Sequence, residues 1–445
     1  LNFKSSLSPE LFLLDPSITY LNHGSFGATP RAVFEKYQWW QRELEREPVE
    51  FLGRRFNDLM RDARAPLAAY IHAHPDDIVY VPNATTGLNI VARSLRLNPG
   101  DEILTTDHEY GALDRTWRFL CKKSGAVYKP IPIPLPLTTA ENFIETFWSG
   151  VTPRTRVIFL SHITSPTALI FPVQEICRRA REGGIISIID GAHAVGQIPL
   201  DMEAIGADFY SSNAHKWLCA PKGSAFLYAR REMQSLVEPL VVSWGYESQN
   251  PSGSRFVDEQ EWTGTRDYAA YLAVPKAIKF FEEHTWDAVR AECHGIAQYA
   301  RERIGDLVGA RHSPEKDFAA SIAALDQVDS QNNQSRANAS PLQYLCPDSP
   351  EWYSQMFSVP LPPSVEAQPG KPAPLQKRLM DEFKIEVPIF AWQGTPALQR
   401  PHASPRSEAE WECGASEPLM RVSIQAYNSR ADVERLVEAL GKILN

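Results

Sequence analysis

The sequence predicts an α/β fold: a large domain built on a mainly parallel sheet, followed by a smaller α+β C-terminal domain. Three observations carry this prediction. Short apolar runs alternate with helical patterns from about residue 75 to residue 230, the order expected of βα units. One run, Ile185-Ile186-Ser187-Ile188-Ile189, is β-branched enough to be a fully buried parallel strand, and it ends in Asp190. The tail from Leu419 to Leu444 reads as a strand and then a helix, which would close an α+β unit.

In chain order, strands are expected at Ile78–Val81, Glu102–Thr105, Arg156–Ser161, Ile185–Asp190, Asp208–Ser211 and Ala225–Tyr228. Helical periodicity places helices at Ala32–Glu45, Asn57–Ile71, Thr86–Leu95, Tyr110–Lys122 and Val173–Glu182. It returns at Tyr268–Glu283 and Thr285–Asp306, the second leading into the smaller domain. Asp329–Ser340 is polar and turn-rich, and Pro360–Pro374 is proline-rich and semi-rigid. The division that follows is an N-terminal segment 1–20, a large domain 21–290 and a small C-terminal domain 291–445.

Composition narrows the function classes. The 445 residues are 43% hydrophobic and 22% charged, with a net charge of −9 and neither a basic block nor a basic half. Nucleic acid is therefore an unexpected partner. No apolar run is long enough for a bilayer, so no membrane partner is expected either. Residues 1–20 lack the basic flank and apolar stretch of a secretory signal, and a chain opening on Leu1 is expected to lack its first residues. The six cysteines are scattered without zinc-site spacing, which fits reduced thiols in the cytoplasm, and His72 and His74 suit an exposed loop better than a metal site. The N-x-S/T matches at Asn83, Asn333 and Asn338 are read as chance.

The candidate site begins at Ser211-Ser212-Asn213-Ala214-His215-Lys216-Trp217, a polar turn after a strand-like run. A lysine among apolar neighbours loses part of its ammonium stability, and its amine becomes a nucleophile for carbonyl carbon. Asp190 ends its strand where open α/β sheets place ligands. A carboxylate there can hold a pyridinium nitrogen protonated, as pyridoxal 5'-phosphate (PLP) requires. Alone, Lys216 reads as a surface lysine and Asp190 as a cap; together they form a candidate PLP pair.

Other strand ends carry polar groups. Asn83-Ala84-Thr85-Thr86-Gly87 leads from strand to helix, and can cradle a phosphate or simply cap the helix at Thr85 or Thr86. Thr106-Asp107-His108-Glu109-Tyr110 offers an imidazole and a phenol for ring stacking or proton transfer, or a plain surface turn. Ser161 to Thr167 can bond a ring hydroxyl or begin a loop, and Trp262 to Asp267 reads as loop chemistry. Arg421 sits inside the strand-like run Leu419–Ile424, where a guanidinium suits bidentate capture of a carboxylate or lies half-exposed on an edge strand.

Taken in chain order, from Leu21-Asn22-His23-Gly24-Ser25-Phe26-Gly27 to Tyr427-Asn428, these segments resemble the class V aminotransferase group of fold-type I PLP enzymes. Within that group the likeness is greatest to the isopenicillin N epimerases and their relatives. The resemblance implies that Lys216 is the Schiff-base lysine and Asp190 the partner of the pyridine nitrogen. It implies that His193, and more weakly Ser165, contacts the ring oxygen, and that Ala84, Thr85, Asn213 and His215 form the phosphate cradle. His108 would stack on the ring, Thr265 would reach a neighbouring subunit's phosphate in a homodimer, and Arg421 would bind the substrate carboxylate. The desulfurases of the group carry a loop cysteine that Ile385–Trp392 lacks, which argues against persulfide chemistry.

The expected reaction begins with Lys216 taking the Cα proton of an amino acid or peptide-like amine. Reprotonation from the opposite face, with His108 or Tyr110 as the acid, gives epimerisation. Loss of a β-substituent gives a carbon–sulfur lyase, and proton return to the cofactor gives transamination.

Overall fold

The structure is a computed structural model and describes residues 6–309, 344–392 and 417–444. Its strands, in chain order, are β1 (Thr19–Tyr20), β2 (Ile78–Val81), β3 (Glu102–Thr106), β4 (Val127–Ile131), β5 (Thr155–Ser161) and β6 (Ile186–Asp190). They continue as β7 (Phe209–Ser212), β8 (Ala225–Ala229), β9 (Met356–Pro360), β10 (Ile385–Glu386), β11 (Ile389–Trp392) and β12 (Glu417–Ser423). Seven of them form one sheet in the order β2-β8-β7-β6-β5-β3-β4. Only β8 runs against the rest: it pairs antiparallel with both β2 and β7.

The sheet is covered on both faces, which is why its strands read as continuous apolar runs. Ile78, Tyr80, Leu104, Ile158, Leu160, Ile189 and Tyr210 point into one core cluster. Their chain neighbours Val79, Val81, Ile103, Val157, Phe159, Ile188 and Phe209 point into the other. The two-residue period of the pleat divides one apolar sequence between two helical layers.

Six predicted strands and five predicted helices of the large domain are present, with ends shifted by at most two residues. The sequence reading overlooked β4, the edge strand, and the helix Ala140–Trp148 before β5. β4 contains Pro130, which removes a ladder donor and is tolerated because the strand lies at the sheet edge. The single helix expected at Tyr268–Glu283 is two, Ala269–Leu272 and Val274–Glu283, divided at Ala273 just before Pro275. The turn-rich stretch Asp329–Ser340 lies outside the described residues, as do Asn333, Asn338 and Cys413.

A second sheet, in the order β11-β12-β9, is antiparallel and packs through β9 against the long helix Trp286–Val308, which in turn packs against the helix Arg430–Leu444. The N-terminal segment is stitched to this part of the chain. β1 pairs in parallel with β10, and the Leu7 amide donates to the Ala426 carbonyl at 2.9 Å. Among the described residues no helix is long and apolar enough to cross a membrane.

Candidate active site

Every strand of the large sheet except β8 points the same way, so Val81, Thr106, Ser161, Asp190 and Ser212 end at one edge. The polar segments singled out from the sequence start there. After β2, Asn83 caps the helix Ala84–Ser94: its Oδ1 accepts from the Thr86 amide at 2.8 Å. The cap is therefore Asn83, not Thr85 or Thr86, because Asn83 is the last extended residue and its short amide reaches back to the third helical N–H. Thr85 thus sits in the first helical turn, between the Ala84 and Thr86 amides. The Ala84 amide donates to Asn213 Oδ1 at 2.8 Å, which ties this helix to the loop bearing Lys216. Gly87 permits the close seat of the helix on β7, since a Cβ there would stand 2.4 Å from Ser211 Oγ.

Lys216 and His193 meet directly, with Nζ 3.2 Å from Nε2. On the far side of the imidazole, the Trp217 indole N–H donates to His193 Nδ1 at 3.3 Å. An indole nitrogen only donates, so Nδ1 accepts and the His193 proton resides on Nε2, facing the lysine. That arrangement requires a neutral amine as acceptor. Burial, reinforced by the Arg421 charge, lowers the Lys216 amine to about 7, against the opposing pull of Asp190. Burial also raises the Asp190 carboxyl to about 6, although the Ala192 amide and the Lys216 charge act to lower it. In both groups the loss of solvent outweighs their mutual attraction.

The backbone of Lys216 is held by a residue that the sequence reading did not place in the site. His23 Nε2 lies 3.0 Å from the Lys216 carbonyl and Nδ1 lies 2.9 Å from the Tyr427 hydroxyl. Burial keeps this ring neutral, its basicity lowered to about 3. Gly27 lets the segment pass under the lysine loop: its φ is +73°, and a Cβ would stand 2.0 Å from the His215 carbonyl oxygen. The Asn-His-Gly-Ser spelling of residues 22–25 was the available signal.

Arg421 lies on β12, the central strand of its sheet, and is only 5% exposed, so the half-exposed edge position is excluded. Nη1 donates to the Ser165 carbonyl at 2.7 Å and to Ser165 Oγ at 3.1 Å, and Nη2 donates to Ser25 Oγ at 2.9 Å. Ser25 in turn donates to Asn22 Oδ1 at 2.5 Å. Its Nε has no hydrogen-bond partner among the described residues, and no carboxylate pairs with the guanidinium there. Burial lowers its basicity to about 10. A buried cation without a counter-charge is costly, and an arriving carboxylate would relieve that cost.

The remaining predicted residues divide between the site and the surface. His108 is fully buried, with Nδ1 2.8 Å from Thr167 Oγ1, Nε2 3.5 Å from the Ile133 carbonyl and its ring centre 5.0 Å from that of Trp392. Burial lowers its basicity, opposed by the Asp107 charge. Tyr110 is 45% exposed and interacts with the Arg421 charge. His215 Nδ1 lies 3.0 Å from the Ser224 carbonyl. Ser165 is occupied with Arg421. Thr265 is exposed, in a turn whose neighbours Arg266 and Asp267 bond Tyr271 and Gln41. Cys121, Cys177, Cys219, Cys293 and Cys346 are all buried, and burial raises every one of these thiols.

A buried amine of lowered basicity, a buried carboxyl in no ion pair among the described residues and the N-terminus of an eleven-residue helix therefore share one sheet edge. This donor set fits the aldehyde, the ring nitrogen and the phosphate of PLP.

Comparison with known proteins agrees. The family Aminotransferase class-V matches residues 20–335. An isopenicillin N epimerase of Amycolatopsis lactamdurans is 32% identical over 97% of this chain and 96% of its own length. A probable chloroplastic L-cysteine desulfhydrase of Arabidopsis thaliana is 27% identical over 99% of this chain and 86% of its own. Among solved structures, a variant of C-DES with glycine covalently linked to its PLP cofactor superposes with a TM-score of 0.68, at 20% identity, covering 96% of this chain and 97% of that one. The chain belongs to the class V aminotransferase family of fold-type I proteins and is a PLP-dependent enzyme.

Proposed function

We propose that this enzyme moves the Cα proton of an amino acid or peptide-like amine, with epimerisation as the outcome. The observation that carries the reading is Arg421, a buried guanidinium that no carboxylate pairs with among the described residues, and whose charge lowers the basicity of the Lys216 amine. Arg421 would fix the substrate carboxylate and so present Cα to Lys216 Nζ. Similarity to an isopenicillin N epimerase over nearly the whole chain supports the outcome.

In this reading Lys216 holds the cofactor, Asp190 faces its ring nitrogen, and His193 Nε2–H faces its ring oxygen. Ala84, Thr85, Asn213 and His215 surround the phosphate, and Ser165 holds Arg421. Bound PLP supplies an electron sink for charge developing at Cα. His108 and Tyr110, the latter beside Arg421, would be the candidate acids for the other face. Thr265, exposed in one chain, would complete the phosphate site of a second copy, and residues 21–290 and 291–445 would be the large and small domains.

The lowered basicity of Lys216 predicts how the apoprotein captures PLP. The neutral amine is the reactive form, and its fraction rises as pH rises through about 7. The rate at which the visible band forms, followed by stopped flow, should reach a plateau above about pH 8. A free lysine would still be gaining rate near pH 10. A rate that keeps climbing to pH 10 would show that Lys216 is not desolvated.

β-Elimination is the second reading, and one observation favours it: both nitrogens of His108 are engaged and burial lowers its basicity, which weakens one of the two candidate acids. The two are separated by incubating the holoenzyme in deuterated water with L-amino acids, peptide-like amines, thioethers and sulfoxides. Deuterium at Cα with inversion and no keto acid supports epimerisation. Keto acid with released thiol or sulfenate replaces it with the lyase.

A further inference from the structure

Glu109 has no part in the roles assigned above, yet its carboxyl group turns back onto the ends of two strands. Thr106 Oγ1 lies 2.6 Å from Oε1 and Ser161 Oγ lies 2.6 Å from Oε2. Ser161 is the last residue of β5 and stands in register with Asp190, the last residue of β6. Contacts thus run from Glu109 through Ser161 to the strand end that carries Asp190. Among the described residues no cation pairs with Glu109, and the titratable groups that face it are Asp190 from β6 and Tyr128 from β4.

We propose that Glu109 is a positioning residue for Asp190: clamped between Thr106 and Ser161, it ties the ends of β3 and β5 together beside the strand end that carries Asp190. The proposal rests on the reading of Asp190 as the partner of the ring nitrogen. Electrostatics agree with the geometry. Burial raises the Glu109 carboxyl to about 8, with the Asp190 charge adding to the rise and the two hydroxyls opposing it. A carboxyl that loses solvent, has no cation beside it and feels the Asp190 charge ionises later than a free one, which leaves Asp190 the more acidic of the two. As pH rises through about 8 Glu109 ionises, and the second charge favours a protonated ring nitrogen.

The test compares wild type, Glu109→Gln, Ser161→Ala and Asp190→Asn. Each apoprotein is loaded with PLP, and the visible band and the Kd for PLP are followed from about pH 6 to about pH 10. Gln keeps a donor and an acceptor for the two hydroxyls and cannot ionise. Glu109→Gln should therefore match wild type at neutral pH and diverge above about pH 8, where wild type binds PLP about tenfold more tightly than the variant. Ser161→Ala removes a hydroxyl that lowers the Glu109 pKa, so the alkaline inflection should move to higher pH. A purely structural role would leave these inflections in place. If Glu109→Gln superimposes on wild type at all pH values while Asp190→Asn shifts the band, the proposal is overturned and the reading of Asp190 stands. If Asp190→Asn leaves band and Kd unchanged, that reading falls and the proposal with it.

Discussion

Lys216→Ala is expected to lose the visible band that borohydride fixes to the protein, and to lose about 10³-fold in turnover or more. The fold should survive. Among the described residues no carboxylate forms an ion pair with the desolvated Lys216, so its removal relieves a burial cost rather than breaking a pair. His193 would keep its indole donor from Trp217 and lose only the acceptor on Nε2. The check is peptide mass after borohydride treatment: the cofactor should be found on the Lys216 peptide in wild type and on no peptide in the variant. Cofactor fixed to another lysine, with activity retained, would displace Lys216 from the mechanism.

Arg421→Lys should raise KM about 10- to 100-fold with a smaller change in kcat, because a charge-assisted hydrogen bond contributes about 1.5–3 kcal/mol. An ammonium group cannot reproduce the fork that spans Ser165 and Ser25 and still meet a carboxylate with two parallel bonds. Arg421→Met goes further and removes the charge. Substrate affinity should fall more, while thermal stability holds or rises, since the buried guanidinium has no counter-ion among the described residues. A second readout links this residue to the lysine. The Arg421 charge lowers the Lys216 amine, so Arg421→Met should move the pH profile of PLP capture upward. Unchanged KM and an unchanged profile would place Arg421 outside the site.

Much of the fold was legible because its signals are local. A doubly covered parallel strand must be apolar at every position, and Ile185–Ile189 declares itself without reference to any neighbour. Asp190 and Lys216 were visible only as a pair: alone, one reads as a cap and the other as a surface lysine, and together they offer the carboxylate and the amine that PLP requires. β4 was not legible, because Pro130 is acceptable only at a sheet edge and no local sequence says where an edge is. Glu109 was equally hidden. As one letter in a polar turn it reads as solvated, and only the register of β5 against β6 sets it beside Asp190.

The sequence by itself determined the order of the elements and the residue types that bring chemistry to the strand ends. Periodicity and side-chain reactivity are properties of short segments. The tertiary structure alone decided the protonation of those residues and the holding of Lys216 and Arg421. Asn22, His23 and Ser25 reach Glu386, Lys216 and Arg421 across hundreds of residues, and the loss of solvent that makes the amine neutral arises only when those distant segments close over it.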